Sequence, residues 1–155
     1  MKHPPLQKDI FKGRTVIVGI GNTLKGDDGF GPAFVERLKG NIRSVCIDAG
    51  SAPENYIGRI VRENPDTILF VDAAHLDLPA GQYRLLASED LLKGGFTTHD
   101  ISPRMLIEYL RIQTRAAIFL LGVQPKNISL GSEMSDSVRK SLEVLVKLTK
   151  EIDHA

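Results

Sequence analysis

Three groups of this 155-residue chain fall at corresponding places along it: Asp27 or Asp28, Asp72 and His99. Asp27 and Asp28 lie in the stretch Gly19-Ile20-Gly21-Asn22-Thr23-Leu24-Lys25-Gly26-Asp27-Asp28-Gly29-Phe30-Gly31-Pro32, directly after an apolar run. Asp48 follows Val45-Cys46-Ile47, Asp72 follows Thr67 to Val71, and His99 follows the pair Gly94-Gly95. Two adjacent aspartates in a partly dry crevice repel and lose hydration, so they need a counter-charge, a proton or a metal. Asp28 or Asp27, Asp72 and His99 together make a mixed oxygen and nitrogen set suited to a borderline divalent ion such as nickel or zinc. Three protein ligands leave positions open for water or substrate. Plainer roles stand beside this one. Aspartates that end strands are common turn and cap formers, one of Asp27 and Asp28 can cap the following helix, and His99 can be an ordinary loop imidazole. Asp48 either orients a ligand or holds the Gly50-Ser51 turn. His75 is a rival ligand that also reads as a solvated loop residue, and His3 and His154 lie in the tails.

These side chains converge only if the elements before them are neighbouring strands. Thr15 to Val18, Val45 to Ile47, Thr67 to Val71 and Ala116 to Val123 read as buried strands, the third and fourth almost continuously apolar, as strands covered on both faces should be. Parallel neighbours lie roughly 5 Å apart, close enough for acids at their carboxyl ends to meet. Between them, Phe34, Val35 and Leu38 recur at helical spacing after Pro32 and before Gly40, and a second helix is expected over Tyr56 to Arg62. Gln82 to Leu86 alternates polar and apolar, as an antiparallel edge strand does, and Ser88 to Leu92 reads as one helical turn. Ser102 caps a helix with Pro103 at its first position, carrying Met105, Leu106, Tyr109, Leu110 and Ile112 on or beside one face. A last amphipathic helix opens at Ser135 or Asp136. The expected fold is α/β: a single three-layer αβα domain over residues 1–155, with a mostly parallel twisted sheet of about five strands, one antiparallel edge strand, and residues 1–13 as an N-terminal extension.

Composition excludes several classes. A formal charge of +1 implies no basic face for nucleic acid. The lysines and prolines of residues 1–12 form neither a signal peptide nor a membrane span, and the expected compartment is the cytoplasm. Cys46, the single cysteine, has no internal disulfide partner and sits between Val45 and Ile47 as a small core residue. Glycines after the first strand invite a dinucleotide reading, but the third glycine of that fingerprint is Leu24 here, and two carboxylates would face the pyrophosphate. Neither a His-Glu-x-x-His helix nor a Gly-x-Ser-x-Gly elbow is present.

The opening stretch resembles the first motif of nickel-iron hydrogenase maturation endopeptidases. Further matches follow in order: Asp48-Ala49-Gly50-Ser51-Ala52-Pro53-Glu54-Asn55, Ile68-Leu69-Phe70-Val71-Asp72-Ala73-Ala74, Thr97-Thr98-His99, and Phe119-Leu120-Leu121-Gly122-Val123-Gln124-Pro125. The Ser51 to Asn55 and Gln124-Pro125 pieces resemble the branch that serves hydrogenase 3 type enzymes. The resemblance implies an endopeptidase that removes a short C-terminal extension from a nickel-loaded large-subunit precursor; a monomer is expected, though the residues themselves do not specify the oligomeric state. Metal contacts fall on Asp28, Asp72 and His99, and Asp28, Asp72 and Asp48 are the carboxylates available for catalysis. Nickel is then presented by the substrate, with another divalent metal in the free protein as an additional expectation. Two other classes stay open from the residues: a nickel-binding or delivery protein that does not cut, and a nucleotide-binding module.

Overall fold

The computed structural model describes residues 6–93 and 103–154. Its centre is a five-stranded sheet in the order β2-β1-β3-β5-β4. The strands are β1 (Thr15–Gly19), β2 (Val45–Asp48), β3 (Thr67–Ala73), β4 (Tyr83–Ala87) and β5 (Ala117–Val123). All pairings are parallel except that of β4 with β5. Every residue of β1 and β3 is buried, which is why both read as unbroken apolar runs. β4 is half-covered, and its polar-apolar alternation follows from that.

Helices α1 (Phe30–Leu38) and α5 (Asp136–Ile152) cover one face, while α2 (Ile57–Arg62), α3 (Ser88–Lys93) and α4 (Pro103–Gln113) cover the other. Two cores result. The first joins Ile17, Leu69 and Leu121 of the sheet to Phe30 and Phe34, whose rings stack with centroids 6.0 Å apart, and to Val138, Leu142 and Leu145. Leu6, Ile10 and Phe11, in the segment read as an extension, are buried in this same core. The second core joins Val18, Ile68 and Phe70 to Ile60, Leu106, Ile107 and Leu110. Cys46 is buried as expected, and loss of hydration, with Asp153 nearby, pushes its thiol up to about 11. It stays protonated and inert.

The face of α4 departs from expectation. Leu106, Ile107 and Leu110 point inward, whereas Met105, Tyr109 and Ile112 are exposed. Both triplets have helical spacing, so periodicity alone did not identify the buried one. The start of this helix at Ser102 lies outside the described residues. Among the described residues, no helix is long and apolar enough to cross a membrane.

Candidate functional site

The strand order makes the site's location a matter of topology. From β1 the chain passes to β2 on one side and then to β3 on the other, so the sheet's direction of growth reverses between β1 and β3. In open α/β sheets the crevice at the carboxyl ends of two such strands is where ligands bind. Asp28 follows β1 and Asp72 sits near the end of β3, so the two border this crevice.

The glycines of the opening motif bring Asp28 there. After β1, Ile20 N–H donates to the Val71 carbonyl at 2.9 Å and Gly21 N–H to the Gly50 carbonyl at 2.8 Å, so the chain is sewn to β3 on one side and to the loop after β2 on the other as it leaves the sheet. A 3-10 turn over Gly26–Gly29 then leads straight into α1. The first turn of α1 lies on the strand ends themselves. A Cβ added to Gly31 would stand 2.3 Å from the carbonyl oxygens of both Ile20 and Val71, and one added to Gly21 would stand 1.8 Å from the Asp28 carbonyl. Only hydrogen fits at either position.

The two adjacent aspartates, alike in the sequence, do different work. Asp27 is completely buried and faces a distant loop. Its carboxylate accepts from Lys126 N–H at 2.8 Å, Asn127 N–H at 3.0 Å and Ser135 N–H at 2.7 Å, and from the Ser135 hydroxyl at 2.9 and 3.0 Å. Burial pushes the Asp27 carboxyl up, but amide donors from Asn127, Ser135 and Lys126 with the Ser135 hydroxyl together outweigh it and hold the group below its ordinary 3.8. Asp27 therefore fastens the loop of residues 126–135 and the entry to α5 onto the motif loop. The N-cap position of α1 is Gly29, which has no side chain to cap the helix, and the Asp27 carboxylate is spent on the distant loop. Asp28 lies against the crevice, one carboxylate oxygen accepting Asn22 N–H at 2.9 Å.

Removing the Asp27 carboxylate strands several buried donors, and Asp27→Ala is expected to cost about 3 kcal/mol of stability. The pH dependence follows from the direction of its shift. A carboxyl held low in the folded chain contributes stability that is fully present above its unfolded value and lost as pH falls through the folded value. Thermal melts across the acid range should show an acid limb beginning below about pH 4 in the wild type and diminished in Asp27→Asn. Coincident limbs would show that Asp27 is not the group responsible.

Asp72 is completely buried, opposite Gly122 of β5, and the alternation of β3 puts it on the face of Ile68 and Phe70. The strand runs two residues past the expected end at Val71, so Asp72 is held by the sheet. Asp48 stands at the same edge in register with Gly19, is exposed, and accepts Gly50 N–H at 3.0 Å through one oxygen, the turn-holding role weighed for it. His99, the third ligand of the expected set, lies outside the described residues. Among the described residues, no group of three metal-ligating side chains comes together.

Sequence reasoning passed over Gln124 as a positioning group. Its buried amide oxygen accepts from Leu76 N–H at 2.6 Å and Leu78 N–H at 3.4 Å, and its nitrogen donates to the Pro125 carbonyl and reaches His75 Nδ1 at 3.4 Å. It clamps the loop that follows Asp72. The Gln-Pro pair that stops β5 was the available signal. His75 is mostly exposed, with Nε2 3.2 Å from the Asp77 carboxylate. The network assigns the proton to Nε2, leaving Nδ1 to accept from Gln124.

The loop after β1 is not a phosphate cradle. The amides of Ile20, Gly21, Asn22, Leu24 and Lys25 are all bonded to protein acceptors, so the donors a pyrophosphate needs are already committed.

Comparison with known proteins decides among the remaining classes. The family model for HycI, the hydrogenase maturation protease, matches residues 32–152. The chain belongs to the hydrogenase maturation protease family. It is 35% identical to the hydrogenase 3 maturation protease of Escherichia coli K12 over 135 residues, covering 84% of this chain and 85% of that one. The crystal structure of the nickel-iron hydrogenase maturation protease HycI from Thermococcus kodakarensis KOD1 superposes with a TM-score of 0.85 at 35% identity, covering 94% of this chain and 96% of the other. The solution structure of the endopeptidase HycI from Escherichia coli gives a TM-score of 0.78 at 28% identity, covering 89% and 90%. As a maturation protease the chain is a hydrolase, which favours cleavage over a metal-delivery role.

Proposed function

We propose that this maturation protease removes the C-terminal extension from the precursor of a nickel-iron hydrogenase large subunit once nickel has been inserted, and that Asp28, Asp72 and His99 recognise the seated ion. The observation that supports the reading is the crevice between β1 and β3 in a chain of this family, with Asp28 in the 3-10 turn that follows β1 and a fully buried Asp72 near the end of β3. Nickel belongs to the substrate in this scheme. It arrives in the precursor and places the bond to be cut beside the two carboxylates.

The protein's own residues have three tasks. Asp28 and Asp72 offer anionic oxygen to a hard-to-borderline cation, and His99 would add a nitrogen donor when neutral. A carboxylate at this edge, Asp28 or the exposed Asp48, takes the proton from the attacking water as general base. Ile20, Gly21 and Gly31 hold the crevice wall in backbone contact, so the carboxylates do not retreat when the ion arrives. The charge and polarisation needed to activate the scissile carbonyl come from the substrate's ion, so no resident metal is required.

Purified enzyme and nickel-loaded precursor should together yield a large subunit lighter by the mass of its C-terminal extension, cut at a single peptide bond. An intact precursor after prolonged incubation would rule the proposed function out.

A further inference from the structure

The two loops joined by Asp27 have a feature that catalysis does not use. Leu24, on the motif loop, is 67% exposed, and Ile128 and Leu130, on the facing loop, are 47% and 75% exposed. The loops are bound to each other along their length: Gly131 N–H donates to the Leu24 carbonyl at 2.7 Å and Asp27 N–H to the Asn127 carbonyl at 2.9 Å. Gly26 lies so close to the second loop that a Cβ there would be 2.4 Å from Ser132 Oγ and 2.5 Å from the Asn127 carbonyl. Ordering surface loops costs about 1–2 kcal/mol per residue. Here a buried ionised carboxylate supplies the order, and the fixed surface presents three large aliphatic side chains to solvent.

We infer that Leu24, Ile128 and Leu130 form the docking surface for the protein substrate, receiving an apolar segment of the precursor next to the bond that is cut. This rests on the proposed function. Continuity with the crevice argues for that occupant. Asn22 donates its amide to Asp28 and accepts Leu24 N–H at 2.9 Å through its own side chain, so one residue links the carboxylate at the crevice to the edge of the patch. The patch also runs into a cleft of about 700 Å³ that shares Lys126 and Asn127 with the second loop and is lined further by Ser132, Glu133, Asp136 and Lys140. An extended polypeptide laid over the aliphatic side chains thus has a polar groove to continue into. A rigid apolar patch with a polar margin is the composition expected of a protein-binding surface. The exposed apolar stripe Met105, Tyr109 and Ile112 on α4 serves as the comparison.

The test measures binding and cleavage of nickel-loaded precursor by wild type, by Leu24→Asp/Leu130→Asp and by Met105→Glu/Ile112→Glu, with thermal melts on each. The first variant should melt like the wild type, raise KM and Kd about tenfold or more and leave kcat within about twofold, as loss of uniform binding does. The α4 variant should match the wild type. Leu130→Ala, a milder change at an exposed position, should move KM in the same direction should the double variant melt early. Unchanged KM and Kd in the loop variants, or a rise confined to the α4 variant, would overturn the inference. So would a wild-type dimer in sedimentation that the loop substitutions dissociate, since a second copy would then be the occupant. Binding without cutting by the wild type would sink the proposed function alone.

Discussion

Asp72→Asn is expected to fold like the wild type and to cut nickel-loaded precursor about 10³-fold more slowly, the scale of a lost acid-base or electrostatic group. The two side chains are nearly the same size, and the site opposite Asp72 is Gly122, which has no side chain to be displaced. An amide keeps a carbonyl oxygen for hydrogen bonds but loses the negative charge that attracts a cation. A fully buried carboxylate at a strand end is costly, and a fold selected for stability alone would place an apolar residue there. The stability of the variant should therefore equal or exceed that of the wild type. Circular dichroism and a melting curve, run beside the cleavage assay, decide the matter. An unfolded Asp72→Asn protein would make the residue structural.

Gly31→Ala should do the reverse, damaging the fold and the site together. The added methyl would meet two backbone carbonyls, of Ile20 and Val71, at 2.3 Å, and Ile20 N at 2.6 Å. Backbone has no rotamer to change, so α1 must lift from the ends of β1 and β3. Overpacking of this kind costs about 3 kcal/mol, or about 6–12 °C in melting temperature for a chain this long. The same movement carries Asp28 away from Asp72, so cleavage should fall further than the remaining folded fraction explains. A melting temperature within 2 °C of wild type, on the scale of under about 1 kcal/mol, would mean that α1 does not rest on the strand ends.

The strands were legible because burial on both faces leaves a plain mark, a run of Val, Ile, Leu and Phe bounded by glycine or aspartate. The antiparallel edge was legible for the complementary reason: β4 is only half covered and alternates. Where two answers shared one pattern, the sequence was silent. Asp27 and Asp28 are chemically identical neighbours, and what separates them is a loop about a hundred residues away whose amides point at one of them. Met105, Tyr109 and Ile112 have the same spacing as the buried residues of α4, and only the packing distinguishes the two stripes. Gln124 could be read as a stop signal from its following proline, but its clamp on the loop after Asp72 depends on strand order. Conversely, it was foreseeable that Asp72 and the turn carrying Asp28 would lie at the same edge of the sheet, because parallel strands put their carboxyl ends on the same side.

The most direct test of the account is a cleavage assay on nickel-loaded and nickel-free precursor, using enzyme stripped of metal and a chelator that cannot extract the seated ion. If the carboxylates read the substrate's nickel, specificity is a difference in affinity between the two forms of the precursor. The loaded form should lose its C-terminal extension and the empty form should remain whole. Equal cutting of both forms would contradict the account, as would cutting that begins only when zinc is returned to the enzyme.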